Sequence, residues 1–296
     1  EMAAIENTAT DTLLLKTLSS LLKNSQLAVV AGTTKEQIDK AAAAISTAKS
    51  GRIIVSLPTS NVRMEYISHA KPAAMIERIK ELVSYASERC DFVEFEAEDA
   101  TRSEKEFLHK AVNAALEAGA KAVTICDTAS VALPSELEAL INGLYEACPK
   151  LKDASLGVAT YNELGMANAC AVSSFKCGAE YIKTSVSETK LNSTESFVHL
   201  IRLRGEQMGI SVGLNVTELS RTATQIKTIA KTRRGDNTPF DNKIGETQNV
   251  AIGKDSDISE VSKAIRELGY TLSDDDTAKV YEAFLSTAAK KEVGAK

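Results

Sequence analysis

The sequence predicts an α/β chain in which parallel strands alternate with helices, followed by a small helical subdomain. Three observations carry this. Short β-rich runs recur every 25 to 39 residues, with starts at 27, 52, 91, 121, 155 and 180, and helical periodicity fills the gaps. Most runs are apolar without clean polar alternation, the signature of strands covered on both faces. The G-x-G-x-x-G turn of doubly wound dinucleotide folds is absent. This pattern leaves two architectures open, a doubly wound sheet and a barrel, which normally needs eight strands.

Seven strands are expected, at 2–5, 27–31, 52–57, 92–95, 122–126, 155–160 and 181–186. Between them, residues 71–89 place Met75, Ile76, Ile79, Leu82, Val83 and Ala86 on one helical stripe. Ser103 and Glu106 have capping-box spacing ahead of Phe107, Leu108, Ala111 and Val112. Pro134 opens a further helix that buries Leu137, Leu140, Ile141 and Leu144. The texture changes near residue 215. A turn-rich stretch at 233–242 reads as a linker, and helical segments follow at 258–268 and 273–289, the second opened by Ser273 and three aspartates. The expected divisions are a barrel-sized unit at 1–212, a linker at 213–245 and a helical subdomain at 246–296.

Composition narrows the function. The chain has 296 residues, is 44% hydrophobic and 25% charged, and carries a formal net charge of −5. No broad positive field favours nucleic acid or an anionic membrane. The basic cluster Lys227, Lys231, Arg233 and Arg234 reads as a solvated linker. Five cysteines without C-x-x-C spacing argue against a disulfide framework or structural zinc and suit a reducing cytoplasm. No apolar run approaches the roughly 20 residues that cross a bilayer.

Five stretches in order resemble the homocitrate synthase/isopropylmalate synthase family, whose barrel is shared with 3-hydroxy-3-methylglutaryl-CoA lyase. They are Thr59-Ser60-Asn61-Val62-Arg63-Met64-Glu65-Tyr66 at a strand end; Val93-Glu94-Phe95-Glu96-Ala97-Glu98-Asp99-Ala100-Thr101-Arg102, similar to V-E-F-S-x-E-D-A-x-R; Asp127-Thr128 with Pro134, similar to D-T-x-G-x-x-x-P; Asn162-Glu163-Leu164-Gly165 with Ala167-Asn168, similar to N-D-L-G-x-A-x-A-N; and Gly253-Lys254-Asp255-Ser256, similar to G-K-H-S-G. The resemblance implies a TIM (β/α)8 barrel. Glu1 aligns with a glutamate of the family's second strand, so the first strand is missing from this chain and is expected upstream, in about 40 residues.

The resemblance also exposes departures. The family carries H-x-H on its seventh strand, where spacing of two puts both metal-binding imidazoles on one face. Ala159 and Tyr161 stand there. The family's strand-four histidine corresponds to Ile54 and its strand-three arginine to Gly32. The three histidines, His69, His109 and His199, fall in expected helices or a loop, away from strand ends, where barrel enzymes keep catalytic groups. No metal or other cofactor is therefore expected.

Candidate substrate-binding residues are Thr59, Glu94, Asp99, Arg102, Thr128 and Asn192. Glu94, Glu98, Asp99 and Arg102 cluster at one strand end and could serve acid–base chemistry; the structural alternative is an Asp99–Arg102 ion pair closing the loop. Thr128, like Asp127, follows the sixth family strand, and the alternative for Thr128 is a helix-entry hydroxyl. Asn192 matches the family's metal-facing asparagine, with a helix N-cap as its alternative. Candidate catalytic residues are Glu163, Tyr161 and Lys183. An inward Lys183 could form a Schiff base, or pair with a carboxylate such as Glu94. Cys126 reads as a small buried hydrophobe.

The family reaction is a condensation of an acyl-CoA with a 2-oxo acid on a divalent metal. With its ligands replaced, two functions are expected: a diverged protein without that activity, pairing as a homodimer or with an active paralogue, or an acyltransferase or lyase with a rebuilt site. A small 2-oxo acid or CoA is the expected ligand class.

Overall fold

The computed structural model describes residues 1–5, 8–186, 190–233, 261–262 and 274–288. The chain divides into two compact units, Glu1–Lys227 and Thr228–Lys296.

The first unit runs α1 (Thr8–Leu21), β1 (Leu27–Ala31), α2 (Lys35–Ile45), β2 (Gly51–Pro58), α3 (Asn61–Tyr66), α4 (Pro72–Ser87), β3 (Val93–Glu98), α5 (Lys105–Glu117), β4 (Ala122–Asp127), α6 (Pro134–Ala147), β5 (Ser155–Thr160), α7 (Ala167–Lys176), β6 (Tyr181–Lys183) and α8 (Thr194–Met208). A further helix, α9, spans Val216–Arg233 across the division. The strands form one parallel sheet in the order β1-β2-β3-β4-β5-β6. Because spatial order follows chain order without reversal, crossovers of constant hand put all helices on one face. A doubly wound sheet would reverse direction at a switch point. The arrangement is therefore six strands of a barrel wall, and it resolves the ambiguity left by the strand pattern in favour of the barrel.

Side-chain alternation divides the strands cleanly. Val29, Ile53, Val55, Phe95, Val123 and Leu156 face the helices and join Ile38, Ile79, Leu108, Leu137 and Ile141 in one buried cluster. The opposite face, towards the barrel lumen, receives Glu94 and Glu96 from β3, Thr124 from β4, and Tyr181 and Lys183 from β6. Both faces are thus covered, the outer by hydrocarbon and the inner by a polar network.

Several elements differ from expectation. The strand expected at 2–5 reduces to a single parallel bridge, Met2 to Val29, in which Met2 N–H donates to Ala28 at 2.8 Å and Val30 N–H donates to Met2 at 3.0 Å. It has a ladder partner on one side only, which supports little strand length. β6 stops at Lys183 rather than continuing to 186, and Ser185 keeps only a bridge to Ser193. The capping box at Ser103 is not formed. The Ser103 hydroxyl instead donates to Thr59 at 2.7 Å, and α5 begins at Lys105. Residues 216–233, within the expected linker, are helical as α9. Helix Asp274–Ala288 lies within the second expected helical segment and stacks Tyr281 on Phe284. The linker residues 234–245, the stretch Gly253–Ser256 and the expected helical segment 258–268 apart from 261–262 lie outside the described residues.

Gly157 shows how tightly the lumen is filled. A Cβ there would meet the Tyr181 ring at 2.1 Å. That ring is held by a 2.8 Å hydrogen bond between its hydroxyl and Thr124, so it cannot swing away freely. Gly157→Ala is expected to destabilise the protein by about 1–3 kcal/mol through overpacking, read as a lower denaturation midpoint at unchanged m-value.

Candidate functional site

The lumen is organised by a buried lysine. β6 delivers Lys183 inward, where its ammonium lies 2.9 Å from Glu94, 2.9 Å from Glu1 and 3.4 Å from Glu96. Arg52 on β2 donates to Glu94 at 2.8 Å while its guanidinium lies over the Phe92 ring. The Thr124 hydroxyl donates to Glu94 at 2.5 Å. Burial alone would lower the Lys183 pKa, but Glu96, Glu94 and Glu1 outweigh it and raise it. Burial likewise works to raise Glu94, and Lys183, Thr124 and Arg52 reverse this and lower it. The pairing alternative is thus what the geometry contains: the amine is held as an ammonium with its donors directed at carboxylates, the opposite of a free nucleophile.

At the carboxyl ends of the strands the loops tie themselves together. Asp99, in the left-handed region at φ 58°, receives Arg102 Nε at 2.9 Å and Nη2 at 2.6 Å, and the Ser60 hydroxyl at 2.5 Å. Its backbone N–H donates to the Thr128 hydroxyl at 3.0 Å. Thr59 donates to the Glu98 carbonyl at 3.0 Å. Glu98 itself accepts from Ser56 at 2.9 Å and Arg63 at 2.8 Å. Asp127 accepts from Thr101 at 2.7 Å and from the N–H groups of Val131 and Ala132. Ser130, at φ 56°, stands where the family motif has glycine, and its hydroxyl bridges the Tyr161 carbonyl and the Glu163 N–H. These contacts anchor loops, and Thr59, Asp99, Arg102 and Thr128 all take part in them.

The remaining candidates separate. Ala159 faces Lys183 in the β5–β6 register and Tyr161 follows one bridge later. Burial, with Cys126, Glu96 and Glu98 nearby, pushes the Tyr161 phenol up to about 12. Glu163 sits in the exposed turn after β5 and pairs with Lys190. Asn192 is buried, its backbone tied to Thr160 and Ser185, while its side-chain Nδ2 has no partner. Arg63 Nε is likewise buried without a partner. His109 and His199 lie in α5 and α8, and His69 lies between α3 and α4. Strand alternation in Val93–Glu98 was a usable signal for Glu96 as a lumen group; nothing local pointed to Arg52, Arg63 or Tyr181.

The metal implied by the resemblance does not fit these residues. Ala159 has no donor atom, and a phenol shifted up to about 12 is neutral at physiological pH and a poor ligand. Among the described residues no three His, Cys, Asp or Glu side chains converge as a metal site.

Comparison with known proteins agrees with the geometry of the sheet. The HMGL-like family profile matches residues 1–226. The 2-isopropylmalate synthase of Aquifex aeolicus is 28% identical over 306 residues, covering 92% of this chain and 59% of that protein. That of Clostridium kluyveri is 32% identical over 213 residues, covering 71% of this chain and 41% of that protein. The chain therefore spans roughly half the length of the curated relatives it matches. In fold, the hydroxymethylglutaryl-CoA lyase of Pseudomonas aeruginosa aligns with a TM-score of 0.64 at 13% identity, over 77% of this chain and 79% of that one. The lyase of Brucella melitensis aligns at 0.61 and 16% identity, over 78% and 84%.

Arg102→Ala would leave the fully buried Asp99 carboxylate with the Ser60 hydroxyl and without its cation. A loss of about 1.5–3 kcal/mol is expected, the range for hydrogen bonds to charged groups. Chemical denaturation beside Arg102→Lys, which keeps the charge and loses the fork, checks it.

Proposed function

Because this chain belongs to the HMGL-like family, we propose that it is a diverged isopropylmalate synthase-like protein that keeps the barrel scaffold without the metal-dependent condensation. One observation carries this reading: Ala159 and Tyr161 offer no metal-binding pair, beside a lumen whose cations, Lys183 and Arg52, are already engaged by carboxylates. A condensation of this type develops negative charge on a carbonyl oxygen, and a metal supplies several kcal/mol of its stabilisation. Lys183 is in register with Ala159 between β5 and β6, and its donors are directed at Glu94, Glu1 and Glu96. Its role is then to hold the lumen together. The protein acts as a cytoplasmic partner subunit, in a homodimer or beside an active relative. No cofactor is required in this role.

A second reading keeps an activity with a rebuilt site. It draws on the two buried donors without partners, Arg63 Nε and Asn192 Nδ2, which would suit the oxygen atoms of a small 2-oxo acid. Glu163 and Tyr161 would be its acid–base groups.

Calorimetric titration with Zn²⁺, Mg²⁺ and Mn²⁺, paired with a free-CoA release assay on acetyl-CoA with 2-oxoisovalerate or 2-oxoglutarate, separates the readings. No specific metal binding and no CoA release are expected. Tight one-to-one metal binding with metal-dependent release overturns the first reading in favour of the second. For the partner role, sedimentation is expected to show a dimer at micromolar concentration, and a monomer there counts against self-association.

A further inference from the structure

The lumen contains more carboxyl groups than cations. Lys183 and Arg52 face Glu1, Glu94 and Glu96. Glu94 takes both cations and the Thr124 hydroxyl. Glu1 has a partly exposed side chain that water can reach. Glu96 is left with the longest of the lysine contacts, 3.4 Å, and the Cys126 thiol at 3.2 Å. A negative charge on it would face Glu94 on its own strand and Glu1 across the lumen, close to the Tyr161 phenol, with Lys183 as its cation and the Cys126 thiol as its hydrogen-bond donor. With the Glu96 side chain largely withdrawn from water, a proton on it neutralises the excess at lower free energy. Glu96 also stands where the family motif has serine, so the third carboxyl is this chain's own.

The same cluster joins parts of the sheet that no ladder joins. β6 pairs in the sheet with β5, and the Glu1–Met2 segment is bridged to β1 through Val29. The Lys183–Glu1 contact joins these two segments through their side chains. We propose that this cluster is a pH-sensitive clasp between β6 and the Glu1–Met2 segment, with Glu96 as its titrating member. Protonated, Glu96 leaves Lys183 to Glu94 and Glu1. Ionised, it draws the ammonium from Glu1 and loosens β6 from the Glu1–Met2 segment. The proton passes to solvent, and only an O–H bond is made or broken. The clasp goes beyond the proposed function and holds for a catalyst or a non-catalyst alike.

The sign of the pH dependence follows from linkage. Burial pushes the Glu96 carboxyl above the ordinary value of 4.5, so the folded protein keeps a proton that the unfolded chain releases. Stability is complete below that ordinary value and falls as pH rises towards the shifted one. Glu94, shifted down, acts on the acid side, and Lys183, shifted up, acts in alkali. The fall that this cluster causes above the ordinary glutamate range and short of alkali therefore belongs to Glu96.

The test is thermal unfolding of the full chain across that range, beside Glu96→Gln and Glu1→Gln. The wild-type midpoint is expected to fall by about 2–4 °C more than that of Glu96→Gln. Glu1→Gln removes a charge opposing ionisation and is expected to move the fall to lower pH. Identical slopes in wild type and Glu96→Gln, or an unchanged profile in Glu1→Gln, overturn the clasp. Should either variant fail to fold, infrared spectroscopy of the wild type decides. A protonated-carboxyl C=O band that persists above the ordinary glutamate range and bleaches with rising pH supports Glu96 as the titrating group, and its absence refutes it.

Discussion

The contact between Lys183 and Glu94 is the constraint around which the sheet is arranged. A buried charge without a partner is strongly destabilising, so each member dictates its neighbours. Glu94 needs Arg52 and the Thr124 hydroxyl to complete its hydrogen bonds. Thr124 in turn positions the Tyr181 hydroxyl, and the Tyr181 ring requires a residue without a side chain at Gly157. Strands β2, β3, β4, β5 and β6 each contribute to this one chain of requirements. Many barrels fill their interior with layers of branched aliphatic residues; here an ion network does the filling, which makes the interior specific in geometry and sensitive to the loss of any partner.

That network also shapes what the strand ends can do. Groups that might have addressed a ligand are engaged with one another, from the Arg102 fork on Asp99 to the Arg63 contact with Glu98. The loops are consequently well braced, and the donors left over are few. Asn192 Nδ2 and Arg63 Nε are the buried ones among the described residues at this end of the sheet. The family scaffold is retained in its capping and turn chemistry: Asn162 accepts from the Ala167 N–H at 3.2 Å, and Ser130 adopts the left-handed conformation that glycine takes more easily.

Much of the architecture was legible in the residues themselves. Apolar runs at regular intervals announce parallel strands because a strand covered on both faces needs hydrocarbon at successive positions, and six of the seven expected runs became ladder strands. The exception, at 2–5, forms a single bridge to β1 at Val29. The helix after Pro134 and the stripe in α4 appeared as their periodicity requires, since their apolar faces have a sheet to bury against. The barrel itself needed more than periodicity: strand order is a long-range property, and the ordered motifs supplied it in the sequence while the unreversed ladder order supplies it in space.

The site divides in the same way. That Ala159 cannot ligate a metal is readable from the sequence alone, because an alanine has no donor atom in any fold. Whether Lys183 would be a nucleophile or an ion-pair partner was open, since lysine chemistry depends on which charges stand within a few ångströms. Only the tertiary structure brings Glu94, Glu96 and Glu1 to it, from positions 89, 87 and 182 residues away along the chain (183 − 94, 183 − 96 and 183 − 1). Local sequence determines which residues carry chemistry and which strand face they share. The registry of neighbouring strands decides which charges meet, and where side chains are largely withdrawn from water that meeting sets which of them hold their protons.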